Sequence, residues 1–173
     1  MKKGFYLLLA ICFAAVFYSC GDDDDKVDTD EAWKAANEKA YLDLYFSDYN
    51  KISSPSGMGD VFYKVLQKGE GTDPIYYNSK VKVYYKGSLI TDSVFDSAMP
   101  PYKQPVRFAV DSVTDGFSTA LQHMRVGDKW DIWMPSDLGY GASGSKKSSN
   151  GHQAVPPYST LHFEVEMVEI LKQ

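Results

Sequence analysis

Cysteine is nearly missing from this chain. Its 173 residues include two, Cys12 and Cys20, both close to the N-terminus. No disulfide framework or thiolate metal site can therefore be built in the body of the chain. Histidine is almost as scarce, and no ligand spacing links His123, His152 and His162, so no metal is expected. Positive charge is outweighed, with 18 Lys and Arg against 23 Asp and Glu and a net charge of −5. A nucleic-acid partner, which needs clustered cations against phosphates, is not expected. Glycine-rich phosphate loops, His-Glu-x-x-His and Gly-x-Ser-x-Gly are all absent, which removes the commonest enzyme signatures. No cofactor is implied.

The remaining composition favours a packed domain. Hydrophobic residues make up 44% and aromatic residues 14%, including 13 Tyr and 9 Phe. The length suits one domain with accessory segments.

The first segment reads as an export signal. Lys2 and Lys3 precede an apolar run from Phe5 to Tyr18, short for a transmembrane helix. The run ends in Phe17-Tyr18-Ser19-Cys20-Gly21, which resembles a bacterial lipoprotein signal with cleavage before a lipid-modified Cys20. Phe17 stands where that signal usually has Leu. Residues 1–19 are thus expected to be a signal peptide and 20–27 an acidic tether, because Asp22-Asp23-Asp24-Asp25 repel one another and cannot pack. The acidic run resembles that of surface-exported Bacteroidetes lipoproteins. A lipid chain buries its methylenes at about 0.8 kcal/mol each, so several chains would hold the protein at a membrane. The expected location is the cell envelope, lipid-anchored at the outer membrane, with either face of that membrane open to it. For the first segment an ordinary cleaved signal or an N-terminal anchor helix is the alternative, and for the acidic run a plain spacer.

Residues 28–57 read as a helix and linker. Asp28-Thr29-Asp30-Glu31 is a candidate capping box. Behind it Trp33, Ala36, Ala40 and Leu44 recur at helical spacing through about Phe46, with Tyr41 and Tyr45 extending the stripe. Packing on the main domain is expected, a dimer contact being the alternative. Ser53-Ser54-Pro55-Ser56-Gly57 closes the segment.

From residue 58 to 173 the period changes to two. Val61 to Leu66 is strand-like and stops at Gly69-Glu70-Gly71. Val81, Val83, Tyr85 and Leu89 share one face of the next strand, with Lys80, Lys82, Tyr84 and Lys86 opposite. Val106, Phe108 and Val110 alternate, as do Trp130, Ile132 and Met134, and then Leu161, Phe163, Val165 and Met167. One buried and one solvated face marks an antiparallel sheet. Phe117, Ala120, Leu121 and Met124 form one helical stripe, with Gly127 placed to close it and Arg125 in its last turn. Trp133 faces away from Trp130, toward either solvent or the N-terminal helix. The fold class is α+β: a curved antiparallel sheet wrapped around one short amphipathic helix, with an extra N-terminal helix.

Six pieces occur in order: Val83-Tyr84-Tyr85-Lys86-Gly87; Val94-Phe95-Asp96-Ser97; Gly116-Phe117 with Ala120-Leu121, Met124 and Val126-Gly127; Gly139-Tyr140-Gly141-Ala142-Ser143-Gly144; Val155-Pro156-Pro157; and Thr160-Leu161 with Phe163-Glu164-Val165-Glu166. Together they resemble the FKBP-type peptidyl-prolyl cis-trans isomerases over roughly Val61 to Leu171. The resemblance implies an isomerase that assists folding of exported or envelope proteins. Its partners would be proline-containing polypeptides, with macrolides as inhibitors. It implies Phe117 as the pocket floor and Tyr85, Phe95, Asp96, Tyr140 and Phe163 as the other catalytic residues. It also implies substrate contacts from Val106, Phe108, Val113, Thr114, Ala154 and Val155. The family's usual floor Trp is Phe117 here, the Ile usual after Val113 is Thr114, and Val106 replaces a common Phe. Ser145 to Gln153 lengthens a loop that overhangs the pocket, and Met99-Pro100-Pro101 lengthens the stretch after Asp96. A non-catalytic module that binds proline-containing segments is the alternative, and a purely structural surface lipoprotein the third reading.

Overall fold

The computed structural model describes residues 25–147 and 153–172. The expected signal segment 1–19, Cys20, Gly21 to Asp24 and His152 lie outside the described residues. Seven strands form one antiparallel sheet: β1 (Asn50–Ser53), β2 (Asp60–Gln67), β3 (Lys80–Leu89), β4 (Val94–Ala98), β5 (Val106–Ala109), β6 (Lys129–Met134) and β7 (Leu161–Leu171). Their order is β1-β2-β6-β7-β3-β4, with β5 sharing the outer edge of β3 beside β4. Helix α1 (Asp25–Asp43) precedes the sheet, and α2 (Asp115–His123) lies between β5 and β6.

The alternating strands bury the expected faces. Val81, Val83 and Tyr85 on β3 pair across with Ile170, Met167 and Val165 on β7, and Trp130, Ile132 and Met134 on β6 lie within 5% of full burial. Against this face α2 sets Phe117, Ala120 and Leu121, with Met124 just past its end, none more than 4% exposed. Close approach depends on Gly116, where a Cβ would sit 2.7 Å from the Met134 sulfur. Truncating such a residue, Leu121 for example, costs about 2–5 kcal/mol because the cavity cannot collapse.

Several boundaries differ from the sequence expectation. Helix α1 already includes Asp25 to Val27, which were expected in the acidic tether, and Asp28 lies inside the helix rather than capping it. The stripe facing the domain is Trp33, Asn37, Ala40, Tyr41 and Leu44. Ala36 is exposed and Asn37 is fully buried. Asn50–Ser53, expected as linker, is strand β1 and pairs with β2 from Asn50↔Tyr63 to Ser53↔Asp60. The sheet domain therefore begins before residue 58.

Helix α2 ends at His123, so Arg125 and Gly127 belong to the turn beyond it. Gly127 takes φ +90 there, a conformation suited to glycine, and donates to the Met167 carbonyl at 2.8 Å. The Gly69-to-Gly71 loop nests on this turn. Gly71 N–H reaches the Val126 carbonyl at 3.0 Å, and a Cβ on Gly69 would stand 2.3 Å from that oxygen. Asp128, 6% exposed, ties the two together. Its carboxylate accepts the Gly69 N–H and the Arg125 N–H, each at 2.7 Å.

Trp133 lies on the outer face, stacked on His162 with ring centroids 4.2 Å apart. His162 also reaches Asp131 at 3.0 Å and Ser88 at 3.3 Å, which occupies both of its nitrogens within the sheet.

Candidate active site

Where β3, β4 and β7 meet the start of α2, the apolar face is not filled. A cavity of about 260 Å³ opens there. Its lining is Tyr85 from β3, Phe95 and Asp96 from β4, Phe108 from β5, Ser112 to Thr114 from the turn before α2, Phe117 from α2, Tyr140 from the loop after β6, and Phe163 from β7. The cavity follows from ring geometry. Phe117 stands 5.0 Å from Phe163 at 47°, 5.8 Å from Phe108 and 6.5 Å from Tyr85. Phe95 meets Phe163 edge-on at 5.6 Å and Tyr140 at 6.4 Å. Rigid rings held edge to face cannot collapse into the space between them.

A glycine lets two of these rings in. A Cβ on Gly87 would lie 2.5 Å from Phe95 and 2.8 Å from Phe163. Only a residue without a side chain allows β3 to pass beneath both.

The polar groups are few and held. Tyr85 donates its hydroxyl to Asp96 Oδ2 at 2.6 Å, and the Ser97 N–H reaches Asp96 Oδ1 at 2.8 Å. Burial, then the bond to Asp96, pushes the Tyr85 phenol well above its ordinary range. Burial, then the negative charge of Asp96, raises Tyr140 as well. Both groups hold their protons in the folded state beyond pH 10, where the unfolded chain starts to lose them. Their stabilisation is thus complete below about pH 10 and is lost as the pH climbs toward the raised values. Tyr85→Phe should therefore lose stability less steeply than the parent above pH 10. Denaturant unfolding at a series of alkaline pH values checks this, and parallel slopes would contradict it.

Among the expected site residues, Tyr85, Phe95, Asp96, Phe117, Tyr140, Phe163, Phe108, Val113 and Thr114 come together around the cavity. Val106, Ala154 and Val155 do not line it. Val106 is opposite Val83 at the start of β5, and Phe108, two residues along the same face, reaches the cavity instead. Val155 is 2% exposed and exchanges two backbone bonds with Ser145, so it belongs to the core. Ala154 is exposed. Ser112 lines the wall without having been expected. It sits in a single 3-10 turn, a segment too short for a periodic signal. The return of the long loop is fixed by Gln153 N–H on the Phe95 carbonyl at 2.6 Å. No three His, Cys, Asp or Glu side chains converge among the described residues.

Residues 73–168 match the family model described as FKBP-type peptidyl-prolyl cis-trans isomerase. The FKBP-type 22 kDa peptidyl-prolyl cis-trans isomerase of Escherichia coli K12 is 38% identical over 79% of this chain and 61% of its own length. Outer membrane protein MIP of Legionella longbeachae is 34% identical over 80% of this chain and 57% of its own. The crystal structure of FkpA from Escherichia coli superposes with a TM-score of 0.66 at 29% identity, covering 84% of this chain and 63% of that one. The chain thus spans about three fifths of each of these proteins. A seven-stranded antiparallel sheet against a short helix, an aromatic cavity between them and a family match over that same region agree: the chain belongs to the FKBP-type peptidyl-prolyl cis-trans isomerase family.

Proposed function

We propose that this protein catalyses cis-trans isomerisation of X–Pro bonds in exported or envelope polypeptides, using the Phe117 cavity, while a lipid on Cys20 holds it at the envelope. The observation that carries the catalytic reading is the aromatic cavity of about 260 Å³ with Phe117 beneath it. The export-like segment ending at Cys20 supports the envelope reading, as does the outer-membrane name of the Legionella relative.

The reaction needs no nucleophile. An X–Pro amide is planar because resonance gives its C–N bond double-bond character, and rotation meets a barrier of about 18–20 kcal/mol. The planar form carries partial negative charge on oxygen, which water stabilises. The twisted form has lost that resonance and most of that charge. Moving the bond from water into a ring of Phe side chains therefore raises the planar form relative to the twisted one, which is differential binding. The proline ring rests on Phe117, with Phe108 and Phe163 at its sides. The Asp96 carboxylate, fixed by Tyr85 and Ser97, faces the cavity as a negative charge. It repels the planar amide, whose oxygen carries more negative charge, more than the twisted one. Tyr140 donates to a carbonyl of the bound peptide and sets its direction. Val113 and Thr114 contact the chain beside proline, and a macrolide of matching shape would compete for the same space.

Uncatalysed exchange takes tens to hundreds of seconds. Stoichiometric protein should shorten a proline-limited refolding phase, and NMR exchange spectroscopy should detect millisecond interconversion of an Ala-Pro peptide. Peptide binding with no acceleration would select the non-catalytic module instead.

A further inference from the structure

We propose that Asn37, on the N-terminal helix, is a positioning residue for the active site: it clamps the Pro157-to-Thr160 strap and through it fixes the turn that carries Tyr140. This rests on the isomerase reading of the cavity.

Asn37 is a polar residue in mid-helix with no exposed surface. Burying an amide is costly unless its hydrogen bonds are replaced. Here they are. Its Oδ1 accepts the Thr160 N–H at 2.7 Å, its main-chain carbonyl accepts the Thr160 hydroxyl at 2.9 Å, and its Nδ2 donates to the Trp33 carbonyl at 2.8 Å. An apolar side chain would pack a helix on a sheet without specifying where. A buried amide bonded to one backbone N–H fixes the position. Two neighbours grip the same strap. Trp33 Nε1 donates to the Pro157 carbonyl at 3.1 Å, and the Lys34 ammonium lies 4.8 Å over the Tyr158 ring.

The strap continues the contact toward the cavity. Tyr158 holds φ +58, a left-handed conformation that a bulky residue keeps only when its surroundings impose it. In that conformation its N–H reaches the Gly141 carbonyl at 2.9 Å. Gly141 follows Tyr140, whose side chain lines the cavity. The other end of the turn is seated against the start of the same strap: a Cβ on Gly144 would stand 2.9 Å from the Pro157 nitrogen. The route therefore runs by hydrogen bond from Asn37 to Thr160, along two residues of the strap to Tyr158, and by hydrogen bond to Gly141, next in the chain to Tyr140.

The test uses the full-length chain, comparing Asn37→Ala and Trp33→Phe with the parent. The second variant keeps an aromatic ring and removes the indole bond to Pro157. Thr160→Val and Thr160→Ser form a pair in which only Ser keeps a hydroxyl donor. Amide hydrogen exchange at Tyr158, the Tyr140 ring resonances and kcat/KM on an Ala-Pro peptide are read together. Asn37→Ala should speed exchange at Tyr158 at least about tenfold and shift the Tyr140 ring signals, leaving those of Phe117 in place. It should lower kcat/KM about tenfold, as expected for a small displacement of an orienting group. Thr160→Val should follow in the same direction and Thr160→Ser should be restored. Trp33→Phe should show a smaller version. Unshifted Tyr140 signals with faster Tyr158 exchange would overturn the coupling, as would parental kcat/KM in both helix variants. A parent that binds peptide without isomerising it would remove the catalytic reading alone, because the exchange and ring signals still report whether the helix fixes Tyr140.

Discussion

Phe117→Leu should lower kcat/KM for X–Pro isomerisation about tenfold, with the fold intact. A second ring packed on an aromatic face gains about 0.5–1.5 kcal/mol beyond simple burial, and the proline ring on Phe117 is expected to gain a similar amount. About 1.4 kcal/mol of that kind, realised mainly in the twisted state, is one factor of ten in rate. Leu keeps an apolar floor of similar reach but has no ring face to offer. Phe117→Ala should fall further and should also cost about 3–5 kcal/mol of stability. Phe117 is 4% exposed and supports Tyr85, Phe108 and Phe163 at once. The two effects separate by measuring peptide isomerisation under conditions where unfolding shows each variant fully native. Parental kcat/KM in native Phe117→Leu would mean that the proline does not use this ring, and the mechanism would have to be abandoned.

The sheet was legible wherever a strand has two different faces. β3, β6 and β7 alternate cleanly because one side meets α2 and the other meets water. β1 carries no such signal, for the same reason in reverse. Of its four residues Ile52 alone is half-buried, so no alternation exists to be read. The site shows a similar division. Alternation could assign Tyr85, Phe108 and Phe163 to one face, but a period of two does not say how far along a strand the cavity lies. Phe108 therefore lines it and Val106 does not. Asn37 was invisible because helical stripes are recognised by apolar residues, and this contact is made by an amide. Its partner Thr160 lies 123 residues away. What the sequence lacked was the pairing of distant backbone groups, which hydrophobic periodicity does not encode.

Asp128→Ala should be among the most destabilising single changes outside the hydrophobic core, at about 3 kcal/mol, while leaving the cavity alone. The carboxylate accepts two backbone N–H groups at 2.7 Å from two different segments, Gly69 and Arg125. Charge-assisted bonds of this kind contribute about 1.5–3 kcal/mol each, and removing the acceptor strands both donors in a partly buried place. The fold gives these donors no substitute, because Gly69 is already pressed against the 126–128 backbone. At this chain length each kcal/mol moves the midpoint by about 2–4 °C, so Tm should fall by about 6–12 °C. Asp128→Asn should recover part of the loss, since its amide oxygen serves one donor while its NH2 opposes the other. Along α2, Asp128 lies beyond the end opposite Phe117, about 10 Å or more at 1.5 Å per residue. At a temperature where the variant is fully native, kcat/KM should therefore match the parent. A parental Tm would show that water satisfies both donors and that this loop is not fastened by Asp128. A loss of activity in fully native variant would show instead that the turn after α2 is coupled to the cavity along the helix.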